Sequence, residues 1–244
     1  MVKFFSFIIL VSISFLSHNS MADSTVNIVV GLAKPPYVIK EDISGFEIEL
    51  VEQLYKSIGK KTKFIFSPYT GFKKMLSLQH IDAIMTANQQ LFPDNKTLSD
   101  VYIKYQNIAV TLKKNNIALS QISDLSNYTI ASFQNAHKVL GEEFAKASSN
   151  SPLFMQVYDQ EKQIKLLLLN RIDVLVIDVH IFQYYLHKVF GDVKDSDIQY
   201  HYVFPASPYK LAFKNPTNML EFNQALANYK LSDDYQKLLK KYNF

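Results

Sequence analysis

The chain has 244 residues, with 26 Lys and Arg against 22 Asp and Glu and a formal charge of +4, enough length for one large domain or two of about 100 residues each. The lysines stand singly or in pairs among acids, which describes a solvated surface and excludes the continuous basic face of a nucleic-acid binder. Cysteine is absent, which excludes a disulfide scaffold and a cysteine-linked N-terminal lipid and fits an oxidising compartment.

The first 22 residues read as a signal peptide. Lys3 supplies the positive start, residues 4–16 form an apolar run broken only by serines, and Ser20-Met21-Ala22 places small residues at −3 and −1. Cleavage is expected before Asp23. The apolar run is shorter than the roughly 20 residues a spanning helix needs. Removing 22 residues from 244 leaves 222, and losing Lys3 lowers the charge to +3. The expectation is a freely diffusing periplasmic protein that is not a lipoprotein.

Residues 26–30 are apolar and β-branched and end at Gly31 and Pro35-Pro36, the pattern of a buried strand feeding a loop. After Gly45, apolar side chains at 48, 51, 54, 55 and 58 keep helical spacing, and Gly59 is the stop. Residues 63–67 read as a strand, 71–78 as a helix and 81–85 as a strand, the grammar of a sheet covered by helices. Residues 108–112 and 209–213 read as the strands by which the chain passes between two halves. Residues 128–133 read as the first strand of a second lobe, with a helix over 136–147 after it. At the end, Met219, Phe222, Leu226 and Tyr229 share one helix face. Ser232 reads as the N-cap of a last helix burying Tyr235, Leu238, Leu239 and Tyr242.

An internal echo suggests two lobes of similar build. KMLSLQHIDAIMT at 74–86 matches KLLLLNRIDVLVI at 165–177, each an apolar helix, a polar turn, an Ile-Asp pair and a hydrophobic strand. Asp82 and Asp173 read as structural turn residues, whereas Asp178 ends its strand at the mouth of the sheet.

Taken in order, several motifs resemble the family-3 bacterial solute-binding proteins, the polar amino-acid binders of ABC importers. They are Pro35-Pro36-Tyr37, Gly45-Phe46 with Glu47 and Glu49, Tyr69, the Ile-Asp-Ala-Ile of 81–84, and Ser99-Asp100-Val101-Tyr102. The second half adds Ile122-Ser123-Asp124-Leu125 and Asn170-Arg171-Ile172-Asp173 leading to Asp178. The resemblance implies a two-lobe α/β fold of type II with a ligand cleft between lobes joined by two crossing strands. Lobe one is expected from 23–108 and 209–244 and lobe two from 109–208. A ligand in such a fold sits at the carboxyl ends of the strands. The implied ligand-binding residues are Tyr37, Tyr69, Thr86, Ala87, Asn88 and Gln89 from lobe one. Lobe two supplies Phe133, Gln134, Asn135 and Asp178.

Tyr37 and Tyr69 match positions where aromatics cover the ligand, although core packing explains an aromatic equally well. Asp178 matches the aspartate that accepts from the ligand's α-ammonium, and its other reading is an N-cap for residues 179–188. The carboxylate side departs from the family. The stretch Gln89-Gln90-Leu91-Phe92-Pro93-Asp94-Asn95-Lys96 lacks the family's arginine, and Asn135-Ala136 replaces its Gly-Thr or Gly-Ser. Arg171, the single arginine of the chain, lies in a turn at the wrong end of its sheet. A bidentate clamp is therefore missing. Lys96, His137 or backbone N–H groups at a helix start remain as alternatives.

The functional expectation is capture of a small polar, amino-acid-like ligand by a monomer that delivers it to a membrane ABC permease. The alternatives are a sensor module for a receptor or kinase, and a periplasmic enzyme such as a dehydratase. Catalysis is not expected, because no Ser/His/Asp order, HExxH or phosphate loop is present. No metal, cofactor or nucleic acid is expected.

Overall fold

The computed structural model describes residues 25–68 and 71–244, so the expected signal peptide and Tyr69 lie outside the described residues. Strand β1 (Thr25–Val30) buries Ile28, Val29 and Val30 completely, as a strand covered on both faces must. Parallel partners flank it: β2 (Lys61–Phe66) on one side and β3 (Ala83–Ala87) on the other. Helix α1 (Phe46–Ser57) crosses between β1 and β2, and the short α2 (Phe72–Leu76) precedes β3.

Helix α1 starts at Gly45, whose φ of 112° suits glycine. A Cβ there would meet the Tyr37 carbonyl oxygen at 2.5 Å and the Pro36 carbonyl oxygen at 2.9 Å. The same two carbonyls accept from the first helical amides: Phe46 N reaches Pro36 O at 2.9 Å and Glu47 N reaches Tyr37 O at 3.0 Å. The loop after β1 thus caps α1, and this fixes where Lys34 and Tyr37 lie.

Beyond β3 the first sheet adds β4 (Ile103–Tyr105) and β10 (Ser207–Phe213), giving the order β2-β1-β3-β10-β4 with β10 antiparallel to both neighbours. The second sheet is β7-β6-β8-β5-β9, formed by β5 (Asn107–Leu112), β6 (Ile130–Ser132), β7 (Phe154–Gln156), β8 (Val174–Asp178) and β9 (Ile198–His201). Sheet membership changes at Gln106 and again between His201 and Ser207. The strand at 130–132 is therefore the second of its sheet in chain order. The β5 run already pairs with β8, and so belongs inside the sheet and not to a connector. Gln106 Nε2 donates to Phe204 O at 2.9 Å, and Asn107 Nδ2 donates to Ser207 Oγ at 3.1 Å, so the two crossing segments are tied together.

The helix expected over 136–147 is two, α3 (Ala136–Val139) and α4 (Glu142–Asn150), because Gly141 has φ 89° and starts a new helix. The second lobe continues with α5 (Gln160–Leu168) and α6 (Val179–Lys188). The internal echo is a shared build. Asn27 N donates to Asp82 Oδ2 at 2.8 Å, and Thr129 N donates to Asp173 Oδ2 at 2.9 Å, so each Ile-Asp pair anchors the start of a neighbouring strand.

Helices α7 (Pro216–Lys230) and α8 (Asp233–Tyr242) pack on α1. Phe222 carries the α7 contact: it is fully buried, with ring centroids 5.5 Å from Phe213 and 5.9 Å from Tyr55. Phe222→Ala is expected to cost about 3–5 kcal/mol. Leu231→Ala, at a residue 88% exposed, should stay within about 0.5 kcal/mol. Urea unfolding of both variants checks this, and equal stability of the two would contradict the packing.

Candidate functional site

A cavity of about 420 Å³ lies between the lobes, at the carboxyl ends of β1, β3, β6 and β8. Its first-lobe wall includes Leu32 and Lys34 after β1, Phe72 and Lys74 on α2, Thr86 on β3, and the tyrosines at 105 and 209. The second-lobe wall includes Phe133, Gln134 and Asn135 after β6, Tyr158 and Gln160 at the start of α5, and Asp178 at the end of β8.

Asp178 is 2% exposed and sits where three parts of the chain meet. Oδ1 accepts from His180 N at 2.9 Å and Ile181 N at 3.1 Å, which caps α6. The same oxygen accepts from Tyr37 OH of the first lobe at 3.1 Å, and Oδ2 accepts from Gln106 N of the crossing at 2.9 Å. Burial pushes the carboxyl up to about 7, against the opposing pull of these hydrogen bonds. Burial, and then the charge of Asp178, also push the Tyr37 phenol well above its ordinary value, which keeps it a donor.

The first-lobe wall holds a second buried charge. Glu47 is fully buried on α1, and Lys34 Nζ stands 3.0 Å from its Oε2. Lys34 Nζ donates to Thr86 Oγ1 at 2.7 Å, which in turn donates to Glu47 Oε1 at 2.7 Å. Tyr105 OH donates to Glu47 Oε2 at 2.8 Å, and Tyr102 OH donates to Oε1. Tyr102 OH also accepts from Thr86 N at 3.1 Å. Thr86 holds φ 55°, a left-handed conformation rare for a β-branched residue. The surrounding bonds keep it there.

Of the expected ligand-binding residues, Thr86, Phe133, Gln134, Asn135 and Asp178 line this cavity. Tyr37, Ala87, Asn88 and Gln89 do not. Tyr37 is fully buried with its ring stacked on Tyr105 at 3.9 Å, so core packing and the bond to Asp178 occupy it. Ala87 is fully buried at the end of β3. Asn88 Oδ1 accepts from Leu91 N at 2.8 Å, and Gln89 Nε2 donates to Pro93 O at 2.7 Å, so both side chains close their own loop. Neither Lys96 nor His137 lines the cavity. At the start of α3, Asn135 N donates to Gln156 Oε1 at 2.7 Å and Ala136 N to Phe133 O at 3.2 Å, so these two amides are engaged within the fold.

Sequence reasoning missed Lys34, Tyr105 and Tyr209. Lys34 directly precedes Pro35-Pro36 in the loop expected to face the cleft, which is a usable signal. The two tyrosines come from strands beside the crossing and are set by how the sheets meet.

The model of the bacterial extracellular solute-binding proteins, family 3, matches residues 26–244. The probable amino-acid-binding protein YxeM of Bacillus subtilis (strain 168) is 26% identical over 151 residues, 58% of this chain and 54% of that protein. The match thus spans about half the relative's length. An ancestral arginine-binding protein bound to arginine superposes with a TM-score of 0.73 at 20% identity, over 90% of this chain and 98% of that one. A histidine kinase sensor domain with similarity to periplasmic binding proteins gives 0.73 at 14% identity, over 89% and 95%. These likenesses establish the type II periplasmic-binding fold. Among the described residues no helix is long and apolar enough to cross a membrane.

The raised Asp178 carboxyl has a consequence for stability. Folded Asp178 holds its proton up to about pH 7, whereas the unfolded chain releases it near the ordinary value of 3.8. Its contribution is therefore full below the unfolded value and is lost as pH rises toward the folded one. The unfolding free energy of the wild type minus that of Asp178→Asn should fall by about 1.4 kcal/mol per pH unit between about pH 4.5 and 6.5. Chemical denaturation of both across that range measures the slope. A flat difference would contradict the burial.

Proposed function

We propose, from the premise that this chain belongs to the bacterial extracellular solute-binding proteins of family 3, that it captures a small amino-acid-like molecule between its lobes and presents it to an ABC-type importer. The observation that carries this reading is the junction at Asp178, which one first-lobe phenol, one crossing amide and one second-lobe helix share at the wall of the cavity. A ligand bound there touches both lobes at once, so its contacts favour the closed form over the open one. The α-ammonium is the partner that a desolvated carboxylate lacks. Oδ2 accepts from Gln106 N, and an ionised carboxylate oxygen has room for a second donor.

The protein acts in the periplasm after removal of its first 22 residues. Binding without turnover fits the site: the buried charges of the described cavity wall are engaged within the fold, Asp178 by capping α6 and by Tyr37 OH, and Lys34 by its ion pair with Glu47 and by Thr86 Oγ1, which itself donates to Glu47. A role as a sensor module is the second reading, favoured by the likeness to the histidine kinase sensor domain.

A true ligand should stabilise the fold by RT ln(1 + [L]/Kd), about 2.7 kcal/mol at a hundredfold excess over Kd. Thermal unfolding against a panel of amino acids and amines measures this. No stabilisation by any member would contradict ligand capture. Uptake by membranes carrying the transporter, dependent on this protein, supports import over sensing.

A further inference from the structure

Resting on that reading of the cavity, we propose that Lys34 takes the anionic end of the ligand in place of an arginine, and that the ligand is an amino acid with an uncharged, apolar side chain.

Three observations carry the first part. Among the described residues the cavity is lined by no arginine, and its cations are Lys34 and Lys74. Lys74 is exposed on α2, whereas Lys34 is 7% exposed and fixed by Glu47 and Thr86 at 3.0 and 2.7 Å. An ammonium already held in place loses little further freedom when it binds. Glu47 does not cancel it alone, because the hydroxyls of Thr86, Tyr102 and Tyr105 also donate to that carboxylate and spread its charge.

The charged groups of the described lining divide by wall, which orients the ligand. Lys34 stands on the first lobe. The second lobe presents the carboxylate of Asp178. The ammonium end therefore faces lobe two and the carboxylate end faces Lys34.

The remaining lining sets the side chain. Leu32, Phe72, Leu91, Phe133, Val139 and Ile181 are apolar, and among the polar residues there Gln134 Nε2 bonds Tyr158 OH at 3.2 Å and Asn107 Nδ2 bonds Ser207 Oγ at 3.1 Å. Asp178 is the cavity's sole acid among the described lining residues, and the ammonium end uses it. A cationic side chain finds no second carboxylate, and an anionic one meets the solvated Lys74 instead of a buried donor. An apolar side chain buries area at no such cost.

The test pairs an amino acid with its decarboxylated amine, phenylalanine with phenethylamine, by calorimetric titration. The wild type should bind phenylalanine at least about tenfold more tightly than phenethylamine, arginine or glutamate. Lys34→Met should weaken phenylalanine by about a hundredfold and phenethylamine by less than about threefold. Since that change strands Glu47, Lys34→Met/Glu47→Gln removes both charges and keeps the shape, and should show the same selective loss. Equal loss of both ligands in the double variant, or a wild type indifferent to the carboxylate, overturns the role of Lys34. Tighter binding of arginine or glutamate overturns the apolar side chain while leaving ligand capture intact. A wild type that binds no amino acid or amine overturns the proposal together with the reading it rests on.

Discussion

Burying one carboxylate where two lobes and a crossing strand meet is the constraint on which this structure turns. Asp178 ends β8 and begins α6, so the chain has no freedom to move it away from the sheet's mouth. Out of water, its charge needs donors. The fold supplies two from the helix it caps, one from Gln106 at the crossing and one from Tyr37 across the cleft. None of the four is a full positive charge, which is why burial still raises the carboxyl to about 7. The site is stable but left wanting a cation.

The first lobe solves the same problem in the opposite way. Glu47 is buried with a formal cation, Lys34, and three hydroxyls around it. Tyr105 links the two centres: its hydroxyl serves Glu47, its ring stacks on Tyr37, and Lys34 Nζ lies 4.9 Å from its centroid. Phe244 also stacks on Phe46 of α1 at 4.3 Å and on His180 of α6 at 4.2 Å, a further contact across the lobes. Breaking one partner of such a buried set strands the other, so the cavity's polarity is built into the fold's own stability.

The architecture was legible in the sequence because hydrophobic period and turn chemistry are local. The runs at 26–30 and 174–177, the Ile-Asp turns and the Ser232 cap each announce themselves within a few residues. Asp178 was legible for the same reason: ending a strand and beginning a helix, it reads both as a cap and as a cleft carboxylate. The structure shows it as the cap, with the cleft beside it. Tyr37 was not legible. Whether an aromatic after Pro35-Pro36 faces a cavity or the core depends on α1, Tyr105 and Phe244 arriving from far along the chain. Lys34 escaped for a similar reason, since its ion pair spans 13 residues and its hydroxyl partner 52. Short elements such as β7, β9 and the break at Gly141 carry too little pattern to be read alone.

If the ligand's ammonium pairs with Asp178, binding must expel the proton that the empty site holds below about pH 7. Calorimetric titration of the bound amino acid at about pH 6, in two buffers of different ionisation enthalpy, counts that proton directly. Pairing with Asp178 should release close to one proton per ligand, falling toward zero by about pH 8 and absent in Asp178→Asn. Equal binding enthalpies in the two buffers at about pH 6 would contradict it.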